Sequence, residues 1–122
     1  MAKDTSQCQI SATLQGKVAV VELQDAHISG DAWVTTLHDQ FEKIIEKVNP
    51  PHALLNMAQV EHLSSAVLGE LISISRKIRN ADGQFCLAGV QPGVAEIFAI
   101  TRLDQSFRIH SNPEEALKAM AS

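Results

Sequence analysis

Val60-Glu61-His62-Leu63-Ser64-Ser65-Ala66-Val67-Leu68-Gly69 is the stretch on which the reading of this chain turns. Upstream of it, Ala53-Leu54-Leu55 reads as a hydrophobic strand that runs into a short polar connection. The two serines stand where the apolar period changes from that of a strand to that of a helix. The first N–H groups of a helix have no partner inside it, and the aligned peptide dipoles leave that end partly positive, so it accepts an anion. A serine there can be a plain cap, a hydroxyl that holds a ligand, or a carrier of phosphate.

Working outward, Cys8-Gln9-Ile10-Ser11-Ala12-Thr13-Leu14 alternates loosely and Gln15-Gly16-Lys17 reads as a turn. With the β-branched run Val18-Ala19-Val20-Val21-Glu22-Leu23 they form a hairpin. From Asp31 onward Val34, Leu37, Phe41, Ile44, Ile45 and Val48 recur at helical spacing, with Ser29 or Asp31 available as the cap. Asn49-Pro50-Pro51 ends that helix. The next strand is His52–Met57, and the helix after the serines presents Val67, Leu68, Leu71, Ile72, Ser75 and Ile78 on its apolar face. Gly83, just beyond its end, is expected to supply the left-handed residue that stops it. Gln84–Ala88 reads as a strand, and a short helix after Gln91-Pro92-Gly93 carries Val94, Ile97, Phe98 and Ile100. Leu103 is expected to pack in the following loop, Ser106–His110 to form the last strand, and Ser111-Asn112-Pro113-Glu114-Glu115 to open a final helix. Strands alternating with helices imply a single α/β domain, a mixed sheet with an N-terminal hairpin and parallel strands joined by helical crossovers.

Composition narrows the function. The chain has 122 residues, enough for one core, and is 45% apolar but only 4% aromatic, so that core is built from Val, Ile, Leu and Ala. A net charge of −4 and a pI near 5.6 argue against direct nucleic-acid binding. Arg76, Lys77 and Arg79 form the one basic cluster, and complementing a negative helix end explains it. No apolar run is long enough to cross a bilayer, and Met1–Gln7 lacks the apolar middle of a signal peptide. A cytoplasmic protein without membrane insertion is expected, with residues 1–7 flexible. Cys8 and Cys86 stand singly and are read as small core residues, and no metal or cofactor is expected.

Asn56-Met57-Ala58-Gln59-Val60-Glu61-His62-Leu63-Ser64-Ser65-Ala66-Val67-Leu68-Gly69 resembles the central motif of the bacterial anti-sigma-factor antagonists, which share the STAS fold with the cytoplasmic domains of sulphate transporters. The likeness continues through Asp82-Gly83-Gln84, Pro92–Phe98 and Leu103–Ile109. It implies one STAS-like domain over residues 1–122. In register with the family's motif, Ser65 takes the place of the phosphorylated serine, with Ser64 as second choice. Ser64 stands where the family has aspartate, Ala66 where it has serine or threonine, and Val67 where it has the first glycine; Ser65, Leu68 and Gly69 keep the pattern. A further family aspartate falls on Asp31 or is lost at Gly30.

The resemblance implies a non-enzymatic interaction module. Its partner is a protein that is both an anti-sigma factor and an ATP-dependent serine kinase, bound through Asp31, His62, Ser64, Ser65, Ala66 and Gly69 and released by phosphorylation of Ser65. The alternative is a phosphorylation-independent STAS scaffold or partner of a transport complex using the same surface. Trp33 is expected in the core, with a partly exposed anchor as the other possibility. A serine hydrolase is a remote alternative resting on His62 beside Ser64, since no G-x-S-x-G elbow is present. His27, His38, His52 and His110 show no ligand spacing, and surface or strand-edge roles are expected for them.

Overall fold

The computed structural model describes residues 9–102 and 107–121. The expectations for residues 1–7, Cys8, Leu103 and Ser106 lie outside those residues. Eleven elements follow in chain order: β1 (Ile10–Gln15), β2 (Val18–Leu23), β3 (His27–Ile28), α1 (Asp31–Lys47), β4 (His52–Asn56), β5 (His62–Leu63), α2 (Ser65–Asn80), β6 (Gln84–Ala88), α3 (Pro92–Ile100), β7 (Arg108–His110) and α4 (Pro113–Ala121). The main sheet has the order β1-β2-β4-β6-β7. β1 and β2 are antiparallel across the turn at Gly16, whose φ is 63°, and every other pairing in this sheet is parallel. Parallel neighbours need a crossover, and α1, α2 and α3 provide the three. The mixed sheet with an N-terminal hairpin expected from the sequence is therefore present.

Strand alternation divides the core between the two faces of the sheet. Ala53, Leu55, Phe85 and Leu87 meet Leu37 and Phe41 of α1, Leu71, Ile74 and Ile78 of α2, and Phe98 of α3. Leu54, Cys86 and Ala88 point the other way, to Ala116 and Met120 of α4. Phe85 joins the helices to the sheet through edge-on contacts with Phe41 and Phe107, ring centroids 5.6 and 6.1 Å apart. Cys86 is a buried free thiol, and that burial pushes its thiol up from the ordinary cysteine range, opposed in part by the charge of Arg108. Trp33 is buried in the main core, so it is no exposed anchor.

Several local expectations change. Neither Ser29 nor Asp31 caps α1. Gly30 occupies the cap position at φ 95°, ψ 167°, with no side-chain cap bond. The buried stripe of α2 runs Val67, Leu71, Ile74, Ile78, while Ile72 is only partly buried. A seven-residue repeat of threes and fours selects Ile74 and leaves Ile72 at the rim. Ile100 is 75% exposed, because it ends α3 beyond the turn held by Val94 and Phe98. Lys77 does more than complement its helix end: its Nζ donates to Glu42 Oε2 on α1 at 2.9 Å. That bond and the Lys77 charge hold the Glu42 carboxyl below the usual carboxylate range. His38 stands between Glu42 and Glu70, at 3.7 and 3.4 Å, and so also spans α1 and α2. His52, at the start of the central strand β4, accepts the Gln84 N–H on Nδ1 at 3.2 Å.

Candidate functional site

The chain leaves the sheet at Asn56, whose Oδ1 accepts the Ala58 N–H at 3.1 Å. The Met57 N–H donates to Ala88 O at 2.9 Å and the Val60 N–H returns to Met57 O at 3.0 Å, which closes a turn at the carboxyl edge of β4. Gln91 steadies the turn from the next crossover, its Nε2 donating to Ala58 O at 2.7 Å. The following residues are fastened to the loop ahead of α1. Glu61 and His62 N–H groups donate to Ala26 O at 2.8 and 3.0 Å, and the Ser64 N–H donates to Ile28 O at 3.1 Å.

These bonds make a second, two-stranded parallel sheet in which His27 opposes His62 and Ile28 opposes Leu63. Ile28 and Leu63 point into the core, whereas the two histidines are exposed with ring centroids 6.0 Å apart. The consequence is positional: the amino ends of α1 and α2 are brought to one edge of the domain. Sequence reading missed this pairing, because two-residue segments are too short to show a period. The signal available was the matched polar-apolar pair His27-Ile28 and His62-Leu63.

Ser64 is the N-cap of α2, extended at φ −80°, ψ 161°, and its Oγ accepts the Val67 N–H at 3.3 Å. Serine caps a helix about as well as aspartate does, so Ser64 serves this helix start without a charge. Replacing Ser64 with Ala is expected to cost about 1 kcal/mol of unfolding free energy in urea, with Ser64→Asp recovering most of it. An unchanged midpoint in Ser64→Ala would show that the cap bond contributes nothing.

Ser65 begins the helix and is exposed, as are Ala66 and Gly69, while Val67 and Leu68 anchor the same turn in the core. Residues three and four apart share a helix face, so Ser65, Ala66 and Gly69 form one accessible patch. No acidic residue lies in the first turn of α2. Gly69 is the patch's most informative member. It is mid-helix, and a Cβ built on it meets nothing within 4 Å. Glycine there costs roughly 0.5–1 kcal/mol against alanine, and the fold does not require it.

Of the residues expected at the site, Asp31 lies exposed at the first position of α1 and His62 is exposed on β5, so all six fall on the joined edge. The Ser64 hydroxyl accepts a bond from its own helix backbone, and the His62 ring lies beside His27. Among the described residues no group of three or more His, Cys, Asp or Glu could hold a metal ion. Among them, too, no helix is long and apolar enough to cross a membrane.

The STAS domain family model matches residues 9–116 of this chain. The chain belongs to the STAS domain family. Its fold is that of solved anti-sigma-factor antagonists. It is similar to an anti-sigma-factor antagonist (STAS) domain protein from Planctomyces limnophilus, with 25% identity, 93% of this chain and 98% of that one covered, and a TM-score of 0.80. It is likewise similar to an anti-sigma factor antagonist from Mycobacterium paratuberculosis, at 22% identity, 93% and 96% coverage and a TM-score of 0.79. The Bacillus cell fate determinant SpoIIAA in its phosphorylated form superposes with a TM-score of 0.70 at 14% identity, over 91% of this chain and 98% of that one.

Proposed function

We propose that this domain is a cytoplasmic anti-sigma-factor antagonist that docks on an anti-sigma serine kinase through the joined amino ends of α1 and α2, and that phosphorylation of Ser65 ends the docking. The unmodified domain occupies the kinase and so frees the sigma factor. The observation that carries the reading is the exposed hydroxyl of Ser65 in a patch with Ala66 and Gly69, beside the cap Ser64. A kinase must reach its acceptor, and this hydroxyl needs no unfolding to be reached.

Phosphate adds a charge of about −1.5 to −2 and three acceptor oxygens. At the start of α2 the free N–H groups and the helix dipole accept that charge, so the domain itself stays folded. In a close interface the same charge meets desolvation and any carboxylate opposite, and the complex comes apart. A domain of the same fold exists in a phosphorylated form, as SpoIIAA does, which supports the reading. His62 and Asp31 would border the contact from β5 and α1.

The test is incubation of the intact protein with its anti-sigma kinase and ATP, followed by peptide mapping. Phosphate on Ser65, and its loss in Ser65→Ala but not in Ser64→Ala, is the expected result. Incorporation at another residue, or none, overturns the Ser65 assignment.

A further inference from the structure

β1 ends the main sheet, with β2 as its one strand neighbour among the described residues. Its register fixes which backbone groups are engaged. The Gln24 N–H donates to Gln9 O at 2.7 Å, and in the same phase Ser11, Thr13 and Gln15 stand opposite Glu22, Val20 and Val18. The N–H and C=O groups of Ala12 and Leu14 therefore point away from β2, along an open edge. Edge strands are commonly blunted by charged side chains or proline, and Ile10–Gln15 contains neither. The side chains of Ala12 and Leu14 turn toward α1 and, with Ala19 of β2 and Ile44 and Val48 at the end of α1, line a groove of about 400 Å³. Leu14 is 64% exposed over it. Lys43 and Lys47 line the same groove, and Lys17 and Lys47 line the adjoining hollow at the hairpin turn. Among the described residues no carboxylate lines either one, and none of these three exposed lysines makes an ion pair. In a chain of net charge −4, this edge is basic.

These features ask for one kind of occupant. An open ladder accepts an extended segment, an apolar groove beside it accepts alternate side chains of that segment, and the lysines accept carboxylates. A second copy of the chain fits poorly. A twofold contact edge to edge sets a surface against itself, so Lys43 and Lys47 would meet their own counterparts and repel them. We infer that β1 is a docking edge that takes up an extended acidic peptide segment of another protein as a further strand, with apolar side chains in the groove and carboxylates on Lys17, Lys43 and Lys47. The site is independent of the docking face at the amino ends of α1 and α2, since it uses no residue of the Ser65 patch.

The experiment is hydrogen exchange of the full chain, read amide by amide with NMR, in the presence of a short peptide alternating valine with glutamate and of its counterpart alternating valine with lysine. The kinase takes no part in it. Saturable slowing at the Ala12 and Leu14 amides by about tenfold or more is expected with the glutamate peptide, and little or none with the lysine peptide. Lys43→Glu combined with Lys47→Glu should weaken the glutamate peptide about tenfold or more and favour the lysine peptide instead, while the amides of β4 and β6 keep their protection and report an intact fold. Leu14→Ser should weaken the glutamate peptide without changing the preference. No slowing at Ala12 and Leu14, or equal binding of the two peptides, would overturn the proposal. So would protection of these two amides in the chain alone that grows with its concentration, which marks a second copy as the occupant. Binding to phosphatidylserine vesicles without a response to peptide would overturn it too, in favour of a membrane surface.

Discussion

Gly69→Arg is expected to remove kinase binding, by roughly 100-fold or more, from a domain that stays folded and is slightly more stable than the parent. The two effects have separate origins. On the fold side, a side chain at residue 69 projects into open space and replaces a poor helix former, worth up to about 0.8 kcal/mol in favour of the variant. On the binding side, Ser65 lies one helical turn away, and an arginine standing over it blocks any backbone that approaches the Ser65–Ala66–Gly69 patch. Thermal melts and a binding titration of the same preparation read both. Retained affinity with raised stability would show that the partner does not approach this face, whereas lost stability would contradict the open surroundings of Gly69.

Gly83→Ala is expected to be the most damaging single-methyl change, at about 1–3 kcal/mol or more of unfolding free energy. A Cβ at residue 83 would run into the Pro51 carbonyl and the Ile78 side chain. The obstacle is backbone and cannot swing aside. The end of α2 explains why a glycine stands there. The Gly83 N–H donates to Ile78 O at 2.8 Å and the Asp82 N–H to Arg79 O at 3.0 Å, the paired bonds that close a helix through one left-handed residue. That residue is Asp82, at φ 65°, and not Gly83 as the sequence suggests. The sign of a second substitution separates the two explanations. Asp82→Gly should hold or raise stability by relieving the left-handed conformation, and a denaturant midpoint that falls in Asp82→Gly but not in Gly83→Ala would reverse the assignment.

The contrast between these two glycines shows what can be read from a sequence. Gly83 announces a helix end by type and place, but its reason is a close approach from Pro51, far away along the chain. The order of strands and helices was legible because Val18–Leu23, Ala53–Leu55 and the repeat from Val67 to Ile78 each carry a clear period. Ser65 was legible as a candidate site residue through its register with a family motif, and the structure adds that it is exposed. What stayed hidden depends on tertiary proximity. The pairing of His27-Ile28 with His62-Leu63 and the bond from Lys77 to Glu42 each join segments that no local pattern connects.

Ser64 illustrates the opposite case. Against the family motif it reads as a loss, because an aspartate is missing. In the structure it caps α2 through its hydroxyl, so what departs is a negative charge beside Ser65 and not the helix start. The phosphate proposed for Ser65 would have one fewer like charge next to it.

The central claim is that negative charge at the opening residue of α2 decides whether the partner is held. Calorimetric titration of the anti-sigma kinase with the unmodified protein and with the Ser65-phosphorylated protein tests it directly. Tight binding by the first and none by the second, with closely similar melting curves, is the result predicted here. Equal affinity of both forms for the kinase would contradict it.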